Sequence, residues 1–299
     1  MLNIAFDFVW ERPAKGNGFA WNDADDDAAG DLGKRLVRVE GTPFSRYEPL
    51  KECTGLFRTF ADLEATPAAI LDFANRYGHP SYRDGRSERG QRAAVPPYDA
   101  GAIFDDLAGW REMIGRIKGL VAVWDALCQT DWRRLRTLLG RYPHRRFHLP
   151  TGASHGERAG AAVTLLFHEV GMMTFGSLLG LTDRSDAEYV QWHEHSKGVL
   201  LKLIPQSLWH AMYLQFAWAI LGNKTYQRCD CCGKWFEIAP SVNRADRQTC
   251  SDSCRVKLYR QRQQRARELH GQGWSVKRIS NELGSDTSKI EKWLSQNKE

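Results

Sequence analysis

The residues whose types and spacing can do chemistry are Cys229-x2-Cys232 and, further along, Cys250-x3-Cys254. Four thiolates at this spacing close a tetrahedral zinc site. Such a site keeps no position open for substrate, so its chemistry is structural. Gly233 follows Cys232 directly; a glycine there lets the backbone turn tightly and aim N–H groups at sulfur. That placement favours Cys229 and Cys232 as the first pair and leaves Cys231 a spare thiol. Ser251 suits a helix N-cap and Asp252 a first turn, so Cys254 projects from the start of a helix. A redox Cys-x-x-Cys accompanies a βαβ pattern, which the flanking sequence lacks. The expectation is one Zn²⁺ held by Cys229, Cys232, Cys250 and Cys254.

The elements around the cluster predict a polyanion as partner. The chain has a formal net charge of +6 over 299 residues. From Lys224 to Glu299 there are 16 Lys/Arg against 9 Asp/Glu, a net of +7, which leaves −1 for residues 1–223. The positive charge therefore belongs to the tail. Laid out at about 100° per residue, the helix from Asp252 gathers Leu258, Tyr259, Ala266 and Leu269 in one arc. Lys257, Arg260, Gln264 and Arg267 fall opposite, as a basic stripe able to neutralise phosphates. Arg262 falls within the apolar arc and is read as pairing or snorkelling.

Two short helices follow. Ser275 caps the first, which carries Val276, Ile279 and Leu283 and stops at Gly284. Asp286 caps the second, which carries Ile290, Trp293 and Leu294. With Leu269 these positions make the core of a helix-turn-helix. Its second helix presents Thr287, Ser288 and Lys289 to base edges, with Lys292 one turn on. Glu291 opposes a phosphate. Double-stranded DNA is the expected partner.

Residues 1–222 hold no recognisable catalytic constellation. The chain has no phosphate-binding loop ending in Lys-Ser/Thr and no dinucleotide fingerprint. It has no Gly-x-Ser-x-Gly elbow, and His168-Glu169 lacks a second histidine four residues on. His193-Glu194-His195, read as helical, would set its histidines about 200° apart, wrong for one metal ion. Five aspartates between Asp23 and Asp31 read as a solvated loop without the alternating pattern of a calcium loop. An enzymatic role stays open and is not expected. Eight of the eleven tryptophans precede residue 222, which suits an aromatic core or a ligand pocket for a small-molecule or protein effector.

Strands are predicted within Leu2–Trp10 and Leu36–Glu40. Helices are predicted at Pro67–Tyr77 behind the Thr66 cap, over Asp99–Arg141, and at about Gly156–Leu179, Ser185–Leu203 and Gln206–Leu221, with a loop over 79–98. The Leu208–Leu221 run is too short to span a membrane. Cys53 and Cys128 stand apart from the cluster, and Met1-Leu2-Asn3-Ile4 lacks a basic leader. Both suit a reducing, cytoplasmic setting.

The tail resembles a known family. Cys229-x2-Cys232-Gly233-Lys234-Trp235-Phe236, Cys250-Ser251, Cys254-Arg255 and Tyr259-Arg260 are similar to bacterial zinc fingers of the CGNR type, which close regulators with an N-terminal ABATE domain. Phe6-Asp7-Phe8-Val9 looks like the start of that domain. Arg255-Val256-Lys257 stands where the family has Gly-Asn-Arg, and Trp10 where it has Asn. The terminal unit looks more like the C-terminal reader of resolvases and transposases. The resemblance implies a bacterial transcriptional regulator with a sensing domain. A mobile-element or recombination accessory protein, or an enzyme working through the N-terminal domain, are the alternatives. The expected architecture is mainly α with a small N-terminal β element: a helical sensor or interaction domain over 1–222, a four-cysteine zinc finger with its basic helix over 223–264, and a helix-turn-helix over 265–299.

Overall fold

The protein is described from a computed structural model, which covers residues 3–6, 8–22, 34–81, 106–142, 152–178, 190–193, 198–203, 205, 207–238 and 247–295. It is mainly α-helical with small β elements. The chain divides into two compact units, Met1–Lys224 and Thr225–Glu299.

In the first unit, β1 (Asn3–Phe6), β2 (Trp10–Pro13), β3 (Phe19–Asn22), β4 (Arg35–Arg38) and β5 (Phe44–Tyr47) precede the helices. β2 pairs antiparallel with β5, and β3 with β4. Helices α1 (Pro49–Glu52), α2 (Leu56–Ala61) and α3 (Pro67–Tyr77) follow, then α4 (Leu107–Cys128), α5 (Trp132–Leu139) and α6 (His155–Leu178). After β6 (Val190–His193) and β7 (Gly198–Leu203), α7 (Leu208–Leu221) closes the unit.

Helix starts obey local chemistry. The side chains of Thr66, Asp106, Asp131 and Ser207 each accept a backbone N–H from the first turn of the helix they precede. Ser154 and Glu157 form a capping box, with Ser154 N donating to Glu157 Oε2 at 2.7 Å and Glu157 N to Ser154 Oγ at 3.3 Å. Gly78 ends α3 at φ +89°, and a Cβ there would collide with the Glu11 carbonyl.

The core is aromatic. Phe57, Phe60, Trp110, Trp209, Tyr213 and Phe216 are buried, and Phe60 meets Trp209 edge-on at 5.6 Å. α7 is apolar almost all round because it is buried almost all round. Its buried amide, Gln215, donates to the Pro49 and Cys53 carbonyls. The buried Arg58 guanidinium pairs with Asp125 at 2.7 Å.

Two predicted helices change here. The helix predicted over Ser185–Leu203 is replaced, where described, by β6 and β7; the Gly-Val-Leu-Leu-Lys-Leu run of β7 lies between β6, antiparallel, and β1, parallel. His193 is thus in a strand, while Glu194 and His195 lie outside the described residues. The single stretch over Asp99–Arg141 is two helices where described, broken where Thr130 takes φ +53° ahead of the Asp131 cap. The Asp23–Asp31 loop and most of the 79–98 loop lie outside the described residues.

The second unit holds a hairpin, β8 (Thr225–Arg228) with β9 (Trp235–Ile238), and helices α8 (Asp252–Gly271), α9 (Val276–Leu283) and α10 (Thr287–Ser295). The expected boundary between 264 and 265 falls inside α8, which runs unbroken from the cysteine cluster into the helical core. Among the described residues no helix is long and apolar enough to cross a membrane.

Two outcomes follow from the first unit's own core. A chain ending at Lys224 should fold and show cooperative thermal unfolding, and it should not bind DNA; duplex binding equal to the full chain in a mobility-shift titration would contradict this. Burial pushes His210 down to about 4, against about 6.5 unfolded. Between those values the unfolded state binds the extra proton, so stability should fall as pH drops from about 6.5 to 4. His210→Gln should flatten that slope in denaturant titrations.

Candidate metal centre and nucleic-acid interface

The hairpin and the start of α8 bring the four cysteines together. Gly233 at φ +68° makes the turn, its N–H donating to the Cys229 carbonyl at 2.8 Å, and Cys229 N returns to the Lys234 carbonyl at 2.9 Å. Ser251 caps α8, its Oγ accepting from Cys254 N at 3.2 Å, and so fixes the fourth thiol on the first turn. The sulfurs of Cys229, Cys232, Cys250 and Cys254 all lie within 4.8 Å of one another. Cys250 Sγ is 3.6 Å from both Cys232 Sγ and Cys254 Sγ. A tetrahedron with metal–sulfur bonds of about 2.3 Å has edges of about 3.8 Å, so the cluster is sized to hold a metal ion. Cys231 sits outside this set and packs beside it.

The four thiols differ in their surroundings: the pKa values of Cys229 and Cys254 are lowered, while those of Cys232 and Cys250 are raised. Burial works against a charged Cys229, but backbone N–H groups of Cys250, Cys232 and Cys231 outweigh it and bring that thiol down to about 6; the Cys250 N lies 3.3 Å from its sulfur. Burial and then the neighbouring thiols push Cys250 up to about 12. Four sulfurs this close cannot all ionise without a cation among them.

Arg247 is a functional side chain that motif spacing misses. It donates to the Thr249 carbonyl at 2.7 Å and the Cys250 carbonyl at 2.6 Å, and lies over the Phe236 ring. It thereby ties the second cysteine pair to the hairpin. Its position three before Cys250 is the signal the sequence offers.

Beyond Cys254, α8 carries Lys257, Arg260 and Gln264 exposed. Lys257 and Arg260 form no ion pair with any described residue, while Gln264 bonds Glu268 at 3.1 Å. Arg267 departs from the stripe. It is half-buried, and its Nε donates to the Trp293 carbonyl at 3.4 Å, because α10 packs against that turn of α8. Arg262 is half-buried as well.

Ala266, Leu269, Ile279, Ile290 and Trp293 form the buried core of α8, α9 and α10, flanked by Trp274, Val276, Leu283 and Leu294. Gly284 turns the chain between α9 and α10 in the left-handed conformation, φ +56° and ψ +41°. Thr287, Ser288, Lys289 and Lys292 are all exposed on α10. Lys289 Nζ lies 5.8 Å from the Tyr259 ring and 5.5 Å from the Trp293 ring.

One family model matches part of the chain. Residues 261–299 are similar to the family described as "Putative ATPase subunit of terminase (gpP-like)". The match covers the helical core just described and leaves the cysteine cluster and the first unit outside it. No curated protein and no solved structure matches the chain.

The cluster generates a direct measurement. One metal ion per chain should bind, and a small structural metal site of this kind gains on the order of 10 kcal/mol of apparent folding free energy. Cys254→Ser should abolish metal and unfold the finger while the first unit keeps its transition; Cys231→Ser should keep metal. Elemental analysis in reducing buffer decides both, and a metal-free wild type would remove the site.

Proposed function

We propose that this chain is a zinc-stabilised protein that reads double-stranded DNA through its C-terminal unit, and that it serves transcription control under a signal received by residues 1–222. The observation that carries this reading is α8. One continuous helix bears the Cys254 thiol at its start and supplies Ala266 and Leu269 to the three-helix core at its end. Beside that core, α10 offers Thr287, Ser288, Lys289 and Lys292 to solvent from its first turns. A recognition helix meets base edges with those turns. Lys257 and Arg260, on the exposed flank of α8, supply phosphate contacts that set affinity without sequence. The tail's net charge of +7 supports the polyanion partner. The CGNR-like finger supports the regulatory role.

A second reading rests on the match to the terminase family. In it the same helix-turn-helix handles DNA for packaging or for a mobile element and binds element ends rather than promoters. The match supports DNA handling and not ATP hydrolysis, since the chain has no phosphate-binding loop of the Walker type. Selecting bound duplexes from a random library separates the two: promoter-like operators support the first, element termini the second.

Positioning and reading should separate in a salt titration on the selected duplex and a random one. Lys257→Ala and Arg260→Ala should each weaken both duplexes equally and reduce the salt slope by about one unit. Thr287→Ala and Ser288→Ala should cost about 1–3 kcal/mol on the selected duplex and little on the random one. Unchanged slopes in the first pair would make the α8 flank a solvated face. Equal losses on both duplexes in the second pair would mean that α10 does not read sequence.

A further inference from the structure

Helical phase alone makes Tyr259 one more packing residue of α8. Its surroundings say more. It is 41% exposed, so burial does not explain it. Its hydroxyl accepts the Trp293 indole N–H at 2.8 Å, and the two rings meet edge-to-face at 5.4 Å. Lys289 Nζ stands over both rings. Arg267, two turns further along α8, donates to the Trp293 carbonyl. Two side chains of α8 thus hold Trp293, one at its indole and one at its backbone.

The position of Tyr259 along α8 gives this contact a second meaning. It follows Cys254 by five positions, about 7.5 Å of helix rise. Ala266 and Leu269, which bury α8 in the helical core, come later. From Asp252 to Tyr259, α8 buries no residue of its own, so the cysteine cluster at its start and the Tyr259–Trp293 contact at its end are what hold that stretch in place. Without metal these turns have a cap but no core, and isolated helical turns are marginal in water.

We propose that Tyr259 is the positioning residue of the DNA-reading helix, and that through it metal occupancy sets the orientation of α10 and of Lys289. The inference rests on the DNA-reading assignment for its consequence, but not for its geometry. With metal bound, the first turns of α8 are pinned, Tyr259 stays against Trp293, and Lys289 is held on the aromatic pair. Without metal those turns fray, the hydroxyl leaves the indole, and α10 keeps its core contacts through Ile290 and Trp293 and the Arg267 bond to the Trp293 carbonyl. The helical core survives and still binds DNA electrostatically, but it loses discrimination.

The test uses the full chain in four forms: wild type and Tyr259→Phe, each metal-loaded and chelator-stripped. Tyr259→Phe keeps the ring and removes only the acceptor. Hydrogen exchange of residues 287–295 should quicken about 5-fold in the loaded variant, the worth of one net hydrogen bond. It should quicken at least as much in stripped wild type, and no further in the stripped variant. On DNA, loaded Tyr259→Phe should lose about 5-fold on the selected duplex and nothing on a random duplex, at unchanged salt slope. A general loss of folding would lower both duplexes together and would overturn the positioning role. Exchange in 287–295 that ignores both the substitution and the chelator would overturn the coupling, even where duplex binding is found. Coupled exchange in a protein that binds no duplex would uphold the link between metal and α10 and sink the DNA-reading assignment instead.

Discussion

The geometry of the second unit depends on four sulfur atoms. Its hairpin brings a very small apolar cluster of its own, Cys229, Phe236 and Ile238, far below what ordering that much chain costs. Two cysteine pairs well apart in the sequence are held in one cluster. A cation shared by four thiolates would supply both the attraction and the geometry that the apolar residues lack. The protein groups around it are arranged to the same end. Backbone N–H groups point at Cys229, Ser251 caps the helix under Cys254, and Arg247 bonds the carbonyl of Cys250.

That cluster fixes the origin of α8, and α8 does the rest of the positioning. A helix is stiff over the 20 residues from Asp252 to Gly271. Its first half therefore belongs to the cysteine cluster and its second half to the helical core, with Tyr259 and Arg267 reaching α10 from two points along its length. The exposed cations Lys257 and Arg260 flank the first of those points. Arg267 shows how the packing overrides helical phase. By phase it shares a face with Lys257, Arg260 and Gln264, but the Trp293 carbonyl of α10 approaches that turn and takes the guanidinium as a hydrogen-bond donor.

What can be read from the sequence is what local chemistry dictates. The cysteine pairs, the Ser251 and Ser275 caps, the Gly284 turn and the Ile279–Ile290–Trp293 core are all encoded close to where they act. The capped helices Pro67–Tyr77 and Leu208–Leu221 are legible for the same reason. The failures are non-local. β7 resembles a helix segment in isolation, and becomes a strand because β1, at the far end of the first unit's sequence, pairs with it in parallel. Nothing near Gly198 announces that partner. Phase puts Tyr259 on the correct face of α8, but its bond to Trp293 spans 34 residues and cannot be read from phase alone. Arg247 escapes notice because its role is to bond backbone carbonyls, which no side-chain motif records.

The terminase-family match begins at Gln261, in the middle of α8. The buried core of α8, α9 and α10, from Ala266 to Trp293, lies wholly within the matched residues, and the four cysteines lie outside them. That core is built from apolar side chains of α8, α9 and α10, with no cysteine among them. What the cluster adds is upstream: it anchors the start of the stretch from Asp252 to Tyr259, which buries nothing of its own, and so bears on where Lys257, Arg260 and the Tyr259 hydroxyl stand relative to the helical core. On the proposed DNA-reading role, a metal held there would act on where the exposed side chains of α10 stand rather than on whether the helical core folds. That is why its loss is expected to change discrimination before it changes folding of the helical core.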